Sequence, residues 1–161
     1  MRTSDKGLKF IATWEAAKGP DLKPYLCSAK VPTIGYGNTF YPNGKKVTLK
    51  DPPITKEKAW EMFLFVIALF ERDVLSLLGN CKVSQNQFDM LISFAYNVGT
   101  DIDQDDIPEG LGDSTLLKLI KANPSDPRIA AEFVKWNRGN GKVVDGLTNR
   151  RKAEAEIYFK K

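Results

Sequence analysis

The stretch Thr33-Ile-Gly-Tyr-Gly-Asn-Thr39 is the part of the chain around which the rest is organised. Two glycines alternate with Ile34 and Tyr36, a pattern typical of a strand whose backbone is closely approached, because glycine has no side chain in the way. Thr33 adds a small donor and acceptor that can hold a water or a ligand hydroxyl. With Glu15 upstream, the stretch predicts a polar cleft that contains an acid.

Glu15 ends a predicted helix. Residues 3–5 offer capping side chains, and Leu8, Ile11 and Glu15 share one helical face. A carboxylate at the end of a core-facing stripe is partly desolvated, which favours the protonated form that a general acid needs. On position alone, a solvated glutamate at a fraying helix end is the simpler explanation.

Composition bounds the remaining possibilities. A chain of 161 residues with 42% hydrophobic side chains is long enough for one compact unit, which can have two lobes. The formal charge of +4 is compatible with attraction to nucleic acid, anionic lipid or cell wall, and does not distinguish among them. The chain has no histidine, so acid–base chemistry falls to carboxylates, Cys, Lys or Tyr. We expect no metal and no cofactor.

Neither the cysteines nor the termini indicate a secreted or membrane protein. Cys27 and Cys81 have no disulfide-framework or metal-site spacing, although a bond between them stays an alternative. No apolar signal region follows the N-terminal charges. The most apolar run, residues 62–70, is far shorter than the roughly 20 residues that span a bilayer. We therefore expect a soluble chain without an export signal and without stable membrane insertion.

Periodicity along the chain predicts an α+β fold that is mostly helical. Residues 18–51 predict a small antiparallel sheet, with a hairpin turn at 42–44 between strands at 39–41 and 46–49. A long central helix of about residues 56–78, apolar around most of its middle, should be buried. Ser84 and Gln87 form a capping-box pattern before the next helix, which Gly99 ends.

The C-terminal part predicts further helices. Residues 100–112 are acidic and predict a surface loop, and the Asp101-Asp103-Asp105 start lacks the glycine and final glutamate of a calcium loop. The predicted helices that follow cover about residues 114–122, 125–136 and 147–159, with a turn at 137–141. We expect a single domain over residues 1–161: a β-rich lobe at about 15–54, a central helix at about 56–79 and a helical lobe at 84–161.

Several motifs follow one another along nearly the whole chain. They are Glu15, Tyr25-x-Cys27, Thr33–Thr39, Gln85–Gly99, Ser114-Thr-Leu-Leu117 and Gly141–Glu154. Together and in this order, they resemble the phage-type lysozymes of glycoside hydrolase family 24. The resemblance implies a lysozyme-like fold with a cleft between the two lobes. It also implies hydrolysis of the β-1,4 bond between N-acetylmuramic acid and N-acetylglucosamine in peptidoglycan during host-cell lysis.

The resemblance assigns catalytic positions. The family's glutamate maps onto Glu15, its aspartate onto Cys27 and its threonine onto Thr33, with the family's six-residue step from Cys27 to Thr33. The step from Glu15 to Cys27 is about three residues longer than usual. Asp21 is therefore an alternative to Cys27, but its spacing to Thr33 does not fit and Tyr25 marks the Cys27 position.

Cys27 departs from the common pattern and affects the mechanism. Glycoside hydrolysis usually employs two carboxyl groups, and a neutral thiol is a poor substitute for one of them. A thiolate could stabilise positive charge or attack the sugar carbon. Some members of the family carry cysteine here. The sequence leaves open whether the configuration at the anomeric carbon is inverted or retained, and whether the reaction is hydrolysis or lytic transglycosylation. Redox control through Cys27 is also open.

The resemblance also implies substrate contacts. Arg150 matches an arginine that faces the catalytic glutamate, and Tyr96 and Asn97 match cleft positions that contact sugar, although Tyr96 suits a core role as well. Tyr36 is a further candidate from the glycine-rich stretch. Arg151 is expected to be an ordinary solvated helix residue.

The competing interpretation is a weakly active or non-catalytic module that binds peptidoglycan in a phage tail or secretion assembly. Nucleic acid is not expected as a partner, because the lysines are scattered and no aromatic–basic platform is present. The favoured interpretation predicts a monomer that is made in the host cytoplasm and acts on glycan strands of the wall. Access to the wall would then require a membrane hole made by a holin.

Overall fold

The computed structural model describes residues 1–103, 107 and 109–161, which form two compact units. The first unit is Lys9–Leu69, and the second combines Met1–Leu8 with Phe70–Lys161. The mostly helical α+β class is confirmed. Its elements are α1 (Asp5–Glu15), β1 (Asp21–Leu26), β2 (Pro32–Gly35), α2 (Lys56–Leu78), α3 (Gln85–Val98), α4 (Thr115–Ala122), α5 (Ile129–Lys135), β3 (Arg138–Gly139), β4 (Lys142–Val143) and α6 (Asp145–Tyr158).

The predicted small sheet is present in the first unit as an antiparallel pair, β1 with β2. Tyr25 pairs with Thr33, Leu26 pairs with Pro32, and an irregularity separates these pairs from that of Asp21 with Gly35. Directly paired residues project their side chains from the same face of a sheet. The register therefore places the Tyr25 and Thr33 side chains beside each other.

The glycine-rich strand is shorter than the sequence predicts. β2 ends at Gly35, whose φ of +68° is a left-handed conformation that glycine adopts without strain. Gly37 follows with a φ of +85°, and a bridge between Ile34 and Asn38 closes the turn. The prediction that the alternating glycines lie within a strand is wrong beyond Gly35, because the glycines reverse the chain direction rather than continue it.

The predicted hairpin at residues 39–49 forms a turn but no regular strands. A single bridge joins Phe40 to Lys46, and the Tyr41 N–H donates to the Lys45 carbonyl over 2.8 Å. Asp51 holds the end of the segment, accepting from the Tyr41 hydroxyl at 2.9 Å and from the Thr48 hydroxyl at 2.7 Å. Side-chain bonds to Asp51 take the place of the predicted strand ladder.

Helix α2 has the bounds that the sequence predicts. Its buried side chains include Met62 and Phe63, and Met62 packs with Ile34 and Val47 as the core of the first unit. The expectation of a buried helix holds for these side chains but not for Leu64 and Leu75, which are each 38% exposed.

The N-terminal residues belong to the second unit because buried carboxylates bind them. Glu71 accepts from the Thr3 backbone N–H at 2.6 Å and from the Arg2 guanidinium at 2.9 Å. Asp89 accepts from both the backbone N–H and the hydroxyl of Ser4. Such bonds to carboxylates are among the stronger ones in proteins, and they fix the start of α1.

The helices of the second unit largely match their predicted positions. Ser84 and Gln87 form the predicted capping box at the start of α3, and Ser114 caps α4. Helix α5 begins at Ile129, later than the predicted 125, because residues 125–128 form a turn stabilised by Asp126 bonds to Arg128. Helix α6 begins at Asp145, two residues before the predicted start, and β3 and β4 form a short pair within the region that predicted a turn.

The acidic loop is anchored at its base. The Leu111 and Gly112 N–H groups donate to the Gly99 and Thr100 carbonyls, and the Asp101 carboxylate accepts from Gly110. Leu111 is completely buried, so the base is part of the core rather than the surface loop that the sequence predicts. The predicted loop also contains Asp105 and Pro108, which lie outside the described residues.

Both cysteines are free, so the alternative of a disulfide between them is wrong for this structure. Among the residues that the structure describes, no helix is both long enough and apolar enough to cross a membrane.

Candidate active site

Glu15 lies against the turn that follows β2. It is the last residue of α1 and is half-buried. A Cβ atom added to Gly37 would lie 3.8 Å from Oε2 of Glu15, so the carboxylate faces the backbone of the glycine-rich turn. The sequence predicts that another group approaches this backbone closely. In the structure that group is the carboxylate of Glu15.

Cys27 follows β1 in a tight loop. Its N–H donates to the Val31 carbonyl over 3.1 Å, and its own carbonyl accepts from the Lys30 N–H at 2.8 Å. Cys27 is half-buried, and its sulfur accepts hydrogen bonds. A bond from the Val31 backbone N–H is the main cause that lowers the pKa of the Cys27 thiol, a bond from the Thr33 hydroxyl adds to it, and partial burial opposes both. This environment favours the thiolate.

Thr33 is buried in β2, and its hydroxyl interacts with Cys27 and with the loop that follows it. Its hydroxyl donates to the Val31 carbonyl over 2.9 Å and also lies within hydrogen-bond reach of the Cys27 sulfur. One hydroxyl proton can go to only one of these acceptors at a time. We assign the proton to the Val31 carbonyl while Cys27 is a thiol and to the sulfur when Cys27 is a thiolate, because an anion is the stronger acceptor.

Tyr25 is the residue of this site that sequence reasoning used only as a landmark. Burial is the main cause that raises the pKa of its phenol, and the negative charges of Asp21, Cys27 and Glu15 raise it further. Tyr25 therefore lies within electrostatic range of both predicted catalytic groups. The spacing of Tyr25 and Cys27 in the sequence could have indicated this, because residues two apart in an extended segment lie on the same face.

Tyr36 packs against helix α2 rather than standing alone. Its ring centroid lies 5.0 Å from that of Phe63 and 5.8 Å from that of Trp60. The buried Asn38 accepts from the Tyr36 N–H at 3.2 Å and donates to the Met62 carbonyl over 3.3 Å. Asn38 thus joins the glycine-rich turn to α2 and fixes the wall beside Glu15.

The first unit therefore holds Cys27 beside Thr33, and Tyr25 lies within electrostatic range of both Cys27 and Glu15. The group offers a carboxyl that can donate a proton, a sulfur held in a form that can carry negative charge, and two hydroxyls. Asp21, the alternative to Cys27, pairs with Gly35 instead of neighbouring Thr33. This set can perform general acid–base chemistry at a polar bond.

Tyr96 and Asn97 lie at the end of α3 in the second unit. The half-buried Tyr96 ring lies 5.3 Å from the ring of Phe70, a packing contact. Asn97 is exposed and borders a cavity of about 370 Å³. The other lining residues are Val98, Lys135, Trp136, Arg138 and Leu147. An amide, an indole and two cations around one cavity suit a polar, acceptor-rich ligand.

Arg150 and Arg151 are both buried, so the expectation that Arg151 is solvated is wrong. Arg151 is completely inaccessible and donates from Nη1 to Oε2 of Glu154 over 2.7 Å. Arg150 donates from Nε to Oε1 of Glu154 over 3.2 Å and from Nη2 to the Ser93 carbonyl over 3.1 Å. Two cations share one buried carboxylate, which is why both can leave water.

One acidic cluster lies near the loop base. Oxygens of Asp101, Asp103 and Asp113 come within 4.8 Å of one another, and Asp101 already accepts from backbone N–H groups at 3.0 and 3.1 Å. These bonds show that Asp101 has a structural role at the loop base.

Comparison with known proteins decides the family. The family model described as phage lysozyme matches residues 15–154, nearly the whole chain. The chain belongs to the phage lysozyme family. The matched segment starts at Glu15 and includes the Cys27 loop, Thr33, Asn97 and the buried arginines.

Relatives agree with this assignment. The chain is 35% identical over 99% of its length to an endolysin of Bacillus phage B103 and 34% identical over 98% to an endolysin of Acyrthosiphon pisum secondary endosymbiont phage 1. It spans 54% of the first relative and 98% of the second. It also resembles a solved endolysin from Escherichia coli O157:H7 phage FAHEc1, with a TM-score of 0.81, 35% identity and coverage of 99% of this chain and 94% of that chain.

Proposed function

We propose that this phage lysozyme is a muramidase that hydrolyses the β-1,4 bond between N-acetylmuramic acid and N-acetylglucosamine in bacterial peptidoglycan. The observation that carries the proposal is that the first unit holds Glu15 against the glycine-rich turn and holds the Cys27 sulfur beside the Val31 backbone N–H and the Thr33 hydroxyl. Family membership and the endolysin relatives support the same activity.

Glu15 is proposed as the general acid. It gives a proton to the glycosidic oxygen as the bond between that oxygen and the anomeric carbon breaks, and positive charge develops on the sugar ring. Its position against Gly37 leaves no side chain between the carboxyl and the turn. The carboxylate that remains is reprotonated from solvent.

Cys27 is proposed to act as a thiolate in place of the family's aspartate. It stabilises the developing positive charge and accepts a proton from a water that attacks the anomeric carbon, while the Thr33 hydroxyl orients that water. The new carbon–oxygen bond replaces the bond to the leaving sugar. The Cys27 thiol then gives its proton to solvent as Glu15 regains one, so atoms and charge balance over the cycle. Because water attacks directly, this assignment predicts inversion of configuration.

Substrate contacts are proposed for side chains in both units. Asn97 can donate to N-acetyl carbonyl or carboxylate oxygens, and Tyr36 and Tyr96 offer partly exposed aromatic edges. Arg150 is a further proposed substrate contact, as the family resemblance implies. The role of Asn97 is tested separately from the catalytic proposal.

The proposed cellular role is lysis of the bacterial host. The protein would be made in the host cytoplasm and reach the wall through a holin-dependent hole. We further propose that residues 1–161 act as one monomeric lysozyme-like domain, with peptidoglycan strands as the substrate and no nucleic-acid partner.

Clearing of a purified peptidoglycan suspension tests the function. The wild-type protein should lower the turbidity, and Glu15→Gln, which keeps the size and polarity of the side chain but cannot donate the acidic proton, should lower it at least a hundredfold more slowly, the lower end of typical general-acid effects. Glu109→Gln, an exposed carboxamide substitution in the acidic loop, is the matched control. Equal clearing by Glu15→Gln and wild type would refute the assignment, and binding without clearing by the wild type would refute the enzyme.

A further inference from the structure

Arg151 and Asn97 join the buried interior of the second unit to its surface. Arg151 is fully buried on α6, whereas Asn97 is exposed in the last turn of α3. Nη2 of Arg151 donates to Oδ1 of Asn97. A guanidinium has donors only, so the amide oxygen must be the end that faces Arg151. The amide N–H₂ group is then turned away from the guanidinium.

The guanidinium that holds Asn97 is itself fixed on several sides. Its other nitrogen donates to Glu154 over 2.7 Å, and Glu154 accepts from the Ser93 hydroxyl at 2.6 Å. Cζ of Arg151 lies 4.9 Å from the centre of the Phe94 ring, a cation–π contact. Because these partners are all buried, the Asn97 amide is bound to a part of the molecule that cannot readily reorient.

The same contacts reach a second wall of the cavity. Phe94 packs edge-on against Trp136 with 5.5 Å between ring centroids, and Trp136 lines the cavity beside Asn97. Lys135 and Arg138 lie on the same cavity. Every polar group named here donates, so the cavity suits a ligand whose groups accept, such as carbonyl and carboxylate oxygens.

We propose that Arg151 is a positioning residue that holds the Asn97 amide so that its N–H₂ group faces acceptor oxygens of the bound peptidoglycan strand. This inference rests on the proposed function, because it needs Asn97 to contact that strand. Arg151 itself touches no substrate and acts through Asn97.

A double-mutant cycle on KM tests the inference. With soluble, uncrosslinked peptidoglycan strands, Asn97→Ala and Arg151→Lys should each raise KM about five- to tenfold, the loss of one hydrogen bond, with little change in kcat. Their combination should raise KM no further than Asn97→Ala alone. If the two effects multiply, Arg151 does not act through Asn97 and the inference is wrong. The Glu15→Gln assay decides the proposed function independently.

A second variant avoids disturbing the buried arginine. Asn97→Asp retains an oxygen for Arg151 but replaces the outward N–H₂ with a second acceptor, so the melting temperature should hold while KM rises by a similar factor. Asn149→Asp makes the same change at an exposed position of α6 and should leave KM unchanged. An unchanged KM for Asn97→Asp, or an equal rise for Asn149→Asp, would overturn the inference.

Discussion

Tyr25 lies directly opposite Thr33 across the β1–β2 pair, so their side chains project from one face of the hairpin. Cys27 lies just beyond the end of β1, with its sulfur within hydrogen-bond reach of the Thr33 hydroxyl, and its charge raises the pKa of the Tyr25 phenol. The two-stranded pair thus brings the Cys27 sulfur close to the Tyr25 and Thr33 side chains, and Tyr25 also feels the charge of Glu15.

Thr33→Val should raise the pKa of Cys27 and destabilise the fold modestly. The change keeps the side-chain shape but removes the buried hydroxyl, at a cost of about 1 kcal/mol in the free energy of unfolding. The rate of Cys27 alkylation by iodoacetamide against pH reports the thiolate, and its midpoint should move up. Thr33→Ser should restore the midpoint, and Thr13→Val, at an exposed helical hydroxyl, is the control. If the midpoint of Cys27 alkylation is unchanged in Thr33→Val, the Thr33 hydroxyl does not stabilise the Cys27 thiolate.

Cys27→Asp should extend activity to lower pH. The Cys27 pKa is below the ordinary thiol value, so the active thiolate exists above that lowered pKa and is lost as pH falls through it. An aspartate, with an ordinary pKa of about 3.9, stays ionised to far lower pH. The acid limb of the kcat profile should therefore shift down in Cys27→Asp, whereas Cys27→Ser should lose most activity. Cys81→Ser is the control and should leave the pH profile unchanged. If Cys27→Ser keeps full activity, the thiolate has no part in the mechanism.

Removal of the Cys27 charge should lower the pKa of Tyr25. The phenol pKa is raised mainly by burial and further by three anionic neighbours, so Cys27→Ala takes away one of those contributions. Titration of the ring carbon signals of Tyr25 by NMR above pH 9 measures the shift. Cys81→Ala should not move the Tyr25 pKa. A Tyr25 pKa that is the same in both variants would mean that the sulfur and the phenol do not interact.

Gly35→Ala should destabilise the protein more than Gly19→Ala. Both glycines have positive φ, so each alanine incurs a backbone cost of roughly 1–2 kcal/mol. Only at Gly35 would the new Cβ approach another group tightly, at 3.1 Å from Oδ1 of Asn38, whereas nothing lies within 4 Å at Gly19. Thermal unfolding of the two variants compares them directly. Equal losses would show that the Asn38 contact does not constrain the turn.

The parts of this fold that depend on local sequence were predictable. The bounds of α2 follow from one long apolar pattern, and the Ser84–Gln87 capping box involves groups three residues apart. The end of β2 was not predictable, since alternating glycines are compatible with both an extended strand and a positive-φ turn.

Site residues divide in the same way. Glu15, Cys27 and Thr33 could be proposed from the motifs that resemble the family, but the burial of Arg151 could not, because its partner Asn97 lies 54 positions away in the sequence. A charged residue on a helix is usually solvated, and only the three-dimensional structure shows the carboxylate and amide that compensate its burial. The role of Tyr25 likewise depends on the strand register that pairs it with Thr33.

The most direct test of the central claim is mass spectrometry of the fragments that the protein releases from peptidoglycan in water enriched in oxygen-18. Hydrolysis by Glu15 and Cys27 predicts fragments with reducing N-acetylmuramic acid ends that carry one oxygen-18 atom from the solvent, released at least a hundredfold more slowly by Glu15→Gln. Anhydro ends without the label, or labelled fragments released equally by Glu15→Gln, would contradict hydrolysis by Glu15 and Cys27.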